Sequence, residues 1–117
     1  MAQFDMRGQR VTKQYNAGRD INFGAVQTSV DLIAQLEQLN GQVAKAQEVG
    51  ILTEETATDA QYQVTKAIQQ VKKPDPDKKT IVDHLTTAKA LLDNIAAASG
   101  LVTALVGAVA VVQKLFS

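Results

Sequence analysis

The sequence predicts a mostly α protein: an N-terminal β-hairpin followed by a three-helix bundle with a long apolar C-terminal helix. Three observations carry this expectation. Apolar residues alternate with polar ones in residues 11–23, with a turn-forming stretch between two short runs. From Leu32 onward the apolar period changes to three and four, in three successive stripes. Between Asp93 and Lys114 the chain then carries no charge at all. The expected division is residues 1–24 as the hairpin and residues 25–117 as the helical bundle with its apolar C-terminal helix.

In the first run, Val11, Lys13 and Tyr15 fall on one face, and in the second Ile21 and Phe23 do the same. Asn16 and Gly18, which tolerate positive φ, supply the turn between them. A two-stranded hairpin is marginal alone in water, so this one is expected to pack on the helices or to pair its edges with another chain.

The first helix is expected over residues 29–49, with Leu32, Leu36, Leu39, Val43 and Ala46 spaced 4, 3, 4, 3 and Ile33 widening the stripe. Thr28 with Asp31 forms a capping-box-like start, and Gly50 suits the position after the end. The second helix opens with Thr53 as cap and Glu54 and Glu55 in its first turn, where the helix dipole favours negative charge. Its stripe is Ala57, Ala60, Val64, Ala67, Ile68 and Val71, and it runs to about residue 73. Pro74 and Pro76 then stop it, since neither can donate a backbone hydrogen bond.

Asp77 caps a third helix with the stripe Ile81, Val82, Leu85, Ala88, Leu91, Leu92 and Ile95. Ser99 and Gly100 weaken a helix without forbidding it, so the third helix is expected to continue, straight or gently kinked, to Phe116. At about 1.5 Å per residue it would be roughly twice the length of the others. Its end, carrying Leu101, Val102, Leu105, Val106, Val109, Val112, Leu115 and Phe116, would project beyond the bundle and need a partner. Gly100, Thr103, Ala104, Gly107 and Ala108 are small enough to let another helix approach closely.

The 117 residues carry 12 Lys and Arg against 12 Asp and Glu, with 4% aromatic residues and no Cys. This balance argues against a nucleic-acid partner, which needs a basic surface and rings for base stacking. Disulfides, thiolate metal sites and a Cys nucleophile are excluded. Charge is unevenly distributed: Arg7, Arg10, Lys13 and Arg19 outweigh Asp5 and Asp20 in the head, and residues 25–71 are acidic.

The inventory for catalysis is thin. His84 is the single histidine and lies beside Asp83, but adjacent helix positions point apart. Asp75 and Asp77 sit in a tight turn without the spacing of a calcium loop. No catalytic residues, metal site or cofactor are therefore expected, and the chain is not expected to be an enzyme.

The stretch Gly8-Gln9-Arg10-Val11-Thr12-Lys13-Gln14-Tyr15-Asn16-Ala17-Gly18-Arg19-Asp20-Ile21-Asn22 resembles a short N-terminal element of bacterial signalling and conflict-associated proteins. It is also distantly similar to amyloid-like signalling motifs related to the RIP homotypic interaction motif, although Val11-Thr12-Lys13 lacks that motif's compact apolar-Gln-apolar-Gly core. The remainder resembles small effector-associated helical domains. The resemblance implies homotypic assembly that brings effectors together.

The expected function is a homo-oligomerisation module whose contacts are Val11, Tyr15, Asn16, Gly18, Ile21 and Phe23 in the head, together with the apolar C-terminal helix. The partner is then a copy of the chain itself, with an effector protein as a further one. The competing expectation is a membrane-active, pore-forming or cell-death protein that inserts the same helix. A third is a monomer that docks on an effector through the acidic second helix. Residues 1–6 lack the basic and apolar regions of a secretory signal, so the expected compartment is the cytoplasm, with membrane association as the variant.

Overall fold

The computed structural model describes Ile21 and residues 23–116. A 3-10 turn, Phe23–Ala25, leads into four helices: α1 (Ser29–Glu48), α2 (Glu54–Val71), α3 (Lys78–Leu92) and α4 (Ser99–Leu115). Connections of five or six residues reverse the chain between successive helices, so neighbours run antiparallel. Asn40 Nδ2 donates to Thr65 Oγ1 and Gln61 Nε2 donates to the Asn40 carbonyl, both at 3.1 Å, tying α1 to α2. The His84 imidazole Nδ1 donates to Gln63 Oε1 at 2.8 Å and ties α3 to α2. The ring closes because α4 packs on both α3 and α1.

The local signals act as their chemistry requires. Thr28 accepts the Asp31 amide at 3.1 Å, and Asp31 Oδ2 accepts from the Gln27 amide, one residue before the position a standard capping box uses. Thr53 accepts the Thr56 amide at 3.1 Å at the start of α2. Helix α1 ends in a Schellman motif: Gly50 has φ 85°, its amide donates to Gln47, and the Ile51 amide donates to Ala46. Asp77 takes the cap position of α3, where its carbonyl accepts the Ile81 amide but its side chain does not bond the helix backbone. Its carboxylate instead accepts the Thr80 hydroxyl at 2.6 Å, while its amide donates to Gln70.

The core is built from the predicted stripes. Leu32, Leu36, Leu39, Val43 and Ala46 are buried on α1, and Ala57, Ala60, Val64, Ala67, Ile68 and Val71 on α2. Helix α3 contributes Ile81, Leu85, Ala88 and Leu92, with Val82, Leu91 and Ile95 half-buried at its margin. Helix α4 adds Leu101, Ala104, Leu105, Ala108 and Val112. Ala on one helix against Leu on the next lets the axes approach while filling the interior.

Two expectations are corrected. The bundle has four helices among the described residues, not three with a long last one. The chain turns at Asp93 and Asn94, extends at Ile95 (φ −108°, ψ 101°), and passes through a 3-10 turn, Ala96–Ala98, before α4 begins at Ser99. The physical reason is burial: a straight helix would leave Leu101, Leu105 and Val112 in water, whereas each gains about 1.5–3 kcal/mol when buried. Nor is there a strand among the described residues: Phe23, expected in the second strand of a hairpin, starts a 3-10 turn. The other residues of the expected hairpin, Val11, Tyr15, Asn16 and Gly18 among them, lie outside the described residues.

Gly41 and Gly50 separate two roles of glycine. A Cβ at Gly41, inside α1, would meet nothing within 4 Å, and Gly41→Ala is expected to raise unfolding stability by about 1 kcal/mol. Gly50→Ala is expected to lower it by roughly 1–2 kcal/mol, because the αL conformation disfavours a Cβ. Urea unfolding of the two variants checks both signs.

Candidate apolar contact surface on the fourth helix

Helix α4 differs from its neighbours in what it turns outward. The exposed positions of α1, α2 and α3 carry Glu37, Lys45, Asp59, Lys79 and Asp83, whereas α4 has no charged residue before Lys114. Its inner stripe fills the core. Its outer side carries Val102 and Val109, half-buried, and Thr103, Val106 and Ala110, exposed. Val106 is 48% exposed, one of three large apolar side chains so placed among the described residues, with Val30 and Tyr62. Val30 stands at the start of α1, and Lys66 lies over the Tyr62 ring at 5.6 Å. Neither lies on so continuous an apolar face.

The stretch Ala96–Leu115 is long and apolar enough to cross a membrane by length and composition, with 33% of its most apolar window buried in the bundle. Leu101, Leu105 and Val112 belong to that buried part and are wholly enclosed. Val106 faces water, and Leu115 and Phe116 are half-buried at the end of the helix. The set expected from sequence to form one apolar surface is therefore divided between the inside and the outside of the bundle.

The N-terminal part of the described chain meets α4 at Gly107. Phe23 is 5% exposed, and its Cβ lies 3.6 Å from where a Cβ on Gly107 would stand. Gly107 thus receives an aromatic ring of its own chain. Ile21 is half-buried and also packs on the core. Of the expected head contacts, then, Phe23 is committed to the bundle and Ile21 partly so. The packing of Phe23 on Gly107 was not legible in the sequence, where the small residue signalled only that something could come close.

Electrostatics on the other helices is mild. Lys79 Nζ donates to Asp83 Oδ2 at 3.0 Å, and this bond and the carboxylate's attraction raise the Lys79 pKa from its ordinary value. The pair is exposed and contributes little to stability. A second i,i+4 pair joins Lys89 to Asp93 at 3.0 Å where α3 ends. Among the described residues no group of three His, Cys, Asp or Glu is arranged to hold a metal ion. His84 is held by Gln63 between α3 and α2, and among the described residues no nucleophile or carboxylate is bonded to it.

Comparison with protein families, with curated proteins and with solved structures gives no match to this chain.

If Phe23 is an integral part of the core, Phe23→Ala should cost about 3 kcal/mol in urea unfolding. Gly107→Ala is expected to be neutral or mildly stabilising, because a contact at 3.6 Å is ordinary and Ala favours the helix. A Phe23→Ala variant as stable as the parent would show that the ring is peripheral.

Proposed function

We propose that this chain is a non-enzymatic homo-oligomerisation module, of the kind used in bacterial signalling or defence, which associates through its N-terminal segment and its C-terminal helix. The observation that carries the reading is the outer side of α4. The inner stripe of this helix already completes the core, yet Val106 is left exposed, with Val102 and Val109 beside it only partly covered where they pack on the core's margin. Phe23 adds a second support, since this one of the expected head contacts seats on Gly107 of the same helix. In this reading Val11, Tyr15, Asn16 and Gly18 contribute from the N-terminal segment, with a second copy as the partner and an effector protein recruited to the assembly.

The membrane-active reading keeps one specific support, the length and composition of Ala96–Leu115. Insertion of that stretch would withdraw Leu101, Leu105 and Val112 from the core, which requires the bundle to open. Association of closed bundles requires no such step, and for that reason we favour it.

Light scattering during size-exclusion chromatography distinguishes the two. The full chain is expected to run as a defined oligomer without lipid or detergent. Val106→Arg should lower its mass while far-UV circular dichroism stays unchanged. A monomer at every concentration overturns the assembly reading. Leakage from liposomes that Val106→Arg abolishes would support insertion instead.

A further inference from the structure

The bundle is charged differently at its two ends. Around the α1–α2 connection stand Glu48, Glu54, Glu55 and Asp59 against Lys45, and Asp93 of the α3–α4 connection, paired with Lys89, lies at the same end. The opposite end carries Lys72, Lys73, Lys78, Lys79 and Lys114 against Asp31, Asp75, Asp77 and Asp83, the last paired with Lys79, and so is close to balanced. One end is thus clearly acidic, while the other carries nearly as many carboxylates as lysines. Helix α4 runs between them with its apolar side outward. On that side Val102, Thr103, Val106, Val109 and Ala110 lie within about 60° of the Val106 direction at 3.6 residues per turn, with the exposed polar Ser99 and Gln113 on the same line at the two ends.

We propose that this face docks the α4 of a second copy, antiparallel, about a two-fold axis near Val106. The inference rests on the assembly reading and gives it an interface and a direction. Antiparallel docking keeps the two acidic ends apart and sets each beside the nearly balanced end of the other copy, while parallel docking sets acidic end against acidic end. It also opposes the two α4 dipoles, which parallel docking would align. The uncharged middle pays no desolvation of ions on closing, and Thr103 and Ala110 are short enough for the axes to approach. A self-complementary patch is what a two-fold interface requires.

In this geometry Val106 meets Val106 of the second copy, Val102 lies nearest Val109, and Thr103 nearest Ala110. The patch is smaller than the roughly 20–30 residues a side of a standard stable interface. The contact therefore opens on dilution. Its orientation weakens with salt, since charges more than about 10 Å apart are screened at 0.1 M.

The chain has no native cysteine, so single-cysteine variants of the full chain report cleanly. Val106 is exposed and Val102 and Val109 are half-buried on the outer side, so Cys at these positions leaves the core leucines in place. With a short bis-maleimide cross-linker, Val106→Cys is expected to couple to itself. A mixture of Val102→Cys and Val109→Cys should couple several-fold more than either variant alone. Equal coupling of each variant alone would mean parallel docking and overturn the proposal. No coupling at any of the three positions, in protein that light scattering shows to be oligomeric, also overturns it but leaves the assembly reading standing. A monomer throughout removes both. A fourth outcome is tested with phosphatidylcholine and phosphatidylglycerol vesicles and a bimane label on Val106→Cys: a blue shift on vesicles without cross-linking assigns the face to lipid and overturns the proposal.

Discussion

The structure depends on the burial of one side of α4. Leu101, Leu105 and Val112 are enclosed together with Ala104 and Ala108, and the same helix packs on both α3 and α1. Without it, the sides of α1 and α3 on which it packs would lose their cover. Truncating a buried leucine costs about 2–5 kcal/mol, so losing a whole wall would exceed the stability of most domains of this size. The turn at Asp93 and Asn94 follows from this requirement, because only a reversal brings the apolar stretch back along the bundle. Closure then fixes which α4 residues remain outside, and Val102, Val106 and Val109 are contact candidates by that geometry.

Phe23 extends the same constraint to the start of the described chain. Its ring lies against α4 because Gly107 has no side chain there, so the helix that closes the bundle also holds the segment leading into it. The amide of Val26 donates to the Phe23 carbonyl, tightening the turn that carries the chain from this seat into α1.

Helices α1 and α2 were legible almost to the residue. Thr28, Thr53, Gly50 and the two prolines punctuate the chain, and the apolar spacing names every buried residue of both helices correctly. The third stripe misled because Leu92 and Ile95 are three apart, as if one helix continued, while the chain actually turns between them. Asp93 and Asn94 carried the turn signal, but local propensity is weak there and the decision belongs to tertiary burial, which a one-dimensional pattern does not contain. For the same reason the sequence treated the apolar tail as one surface. Leu101 and Val106 are equally apolar, and only the position of α3 and α1 puts one inside and the other in water. Gly107 shows the limit again: its size announces a close approach, and the identity of the visitor depends on the fold.

Methyl-resolved NMR over a dilution series tests whether the bundle stays closed while the outer side of α4 makes the proposed contacts. The signals of Val102, Val106, Val109 and Ala110 should move with concentration while those of Leu101, Leu105 and Val112 hold their positions. Movement of the inner set, or invariance of both sets in protein that is oligomeric by mass, would contradict this.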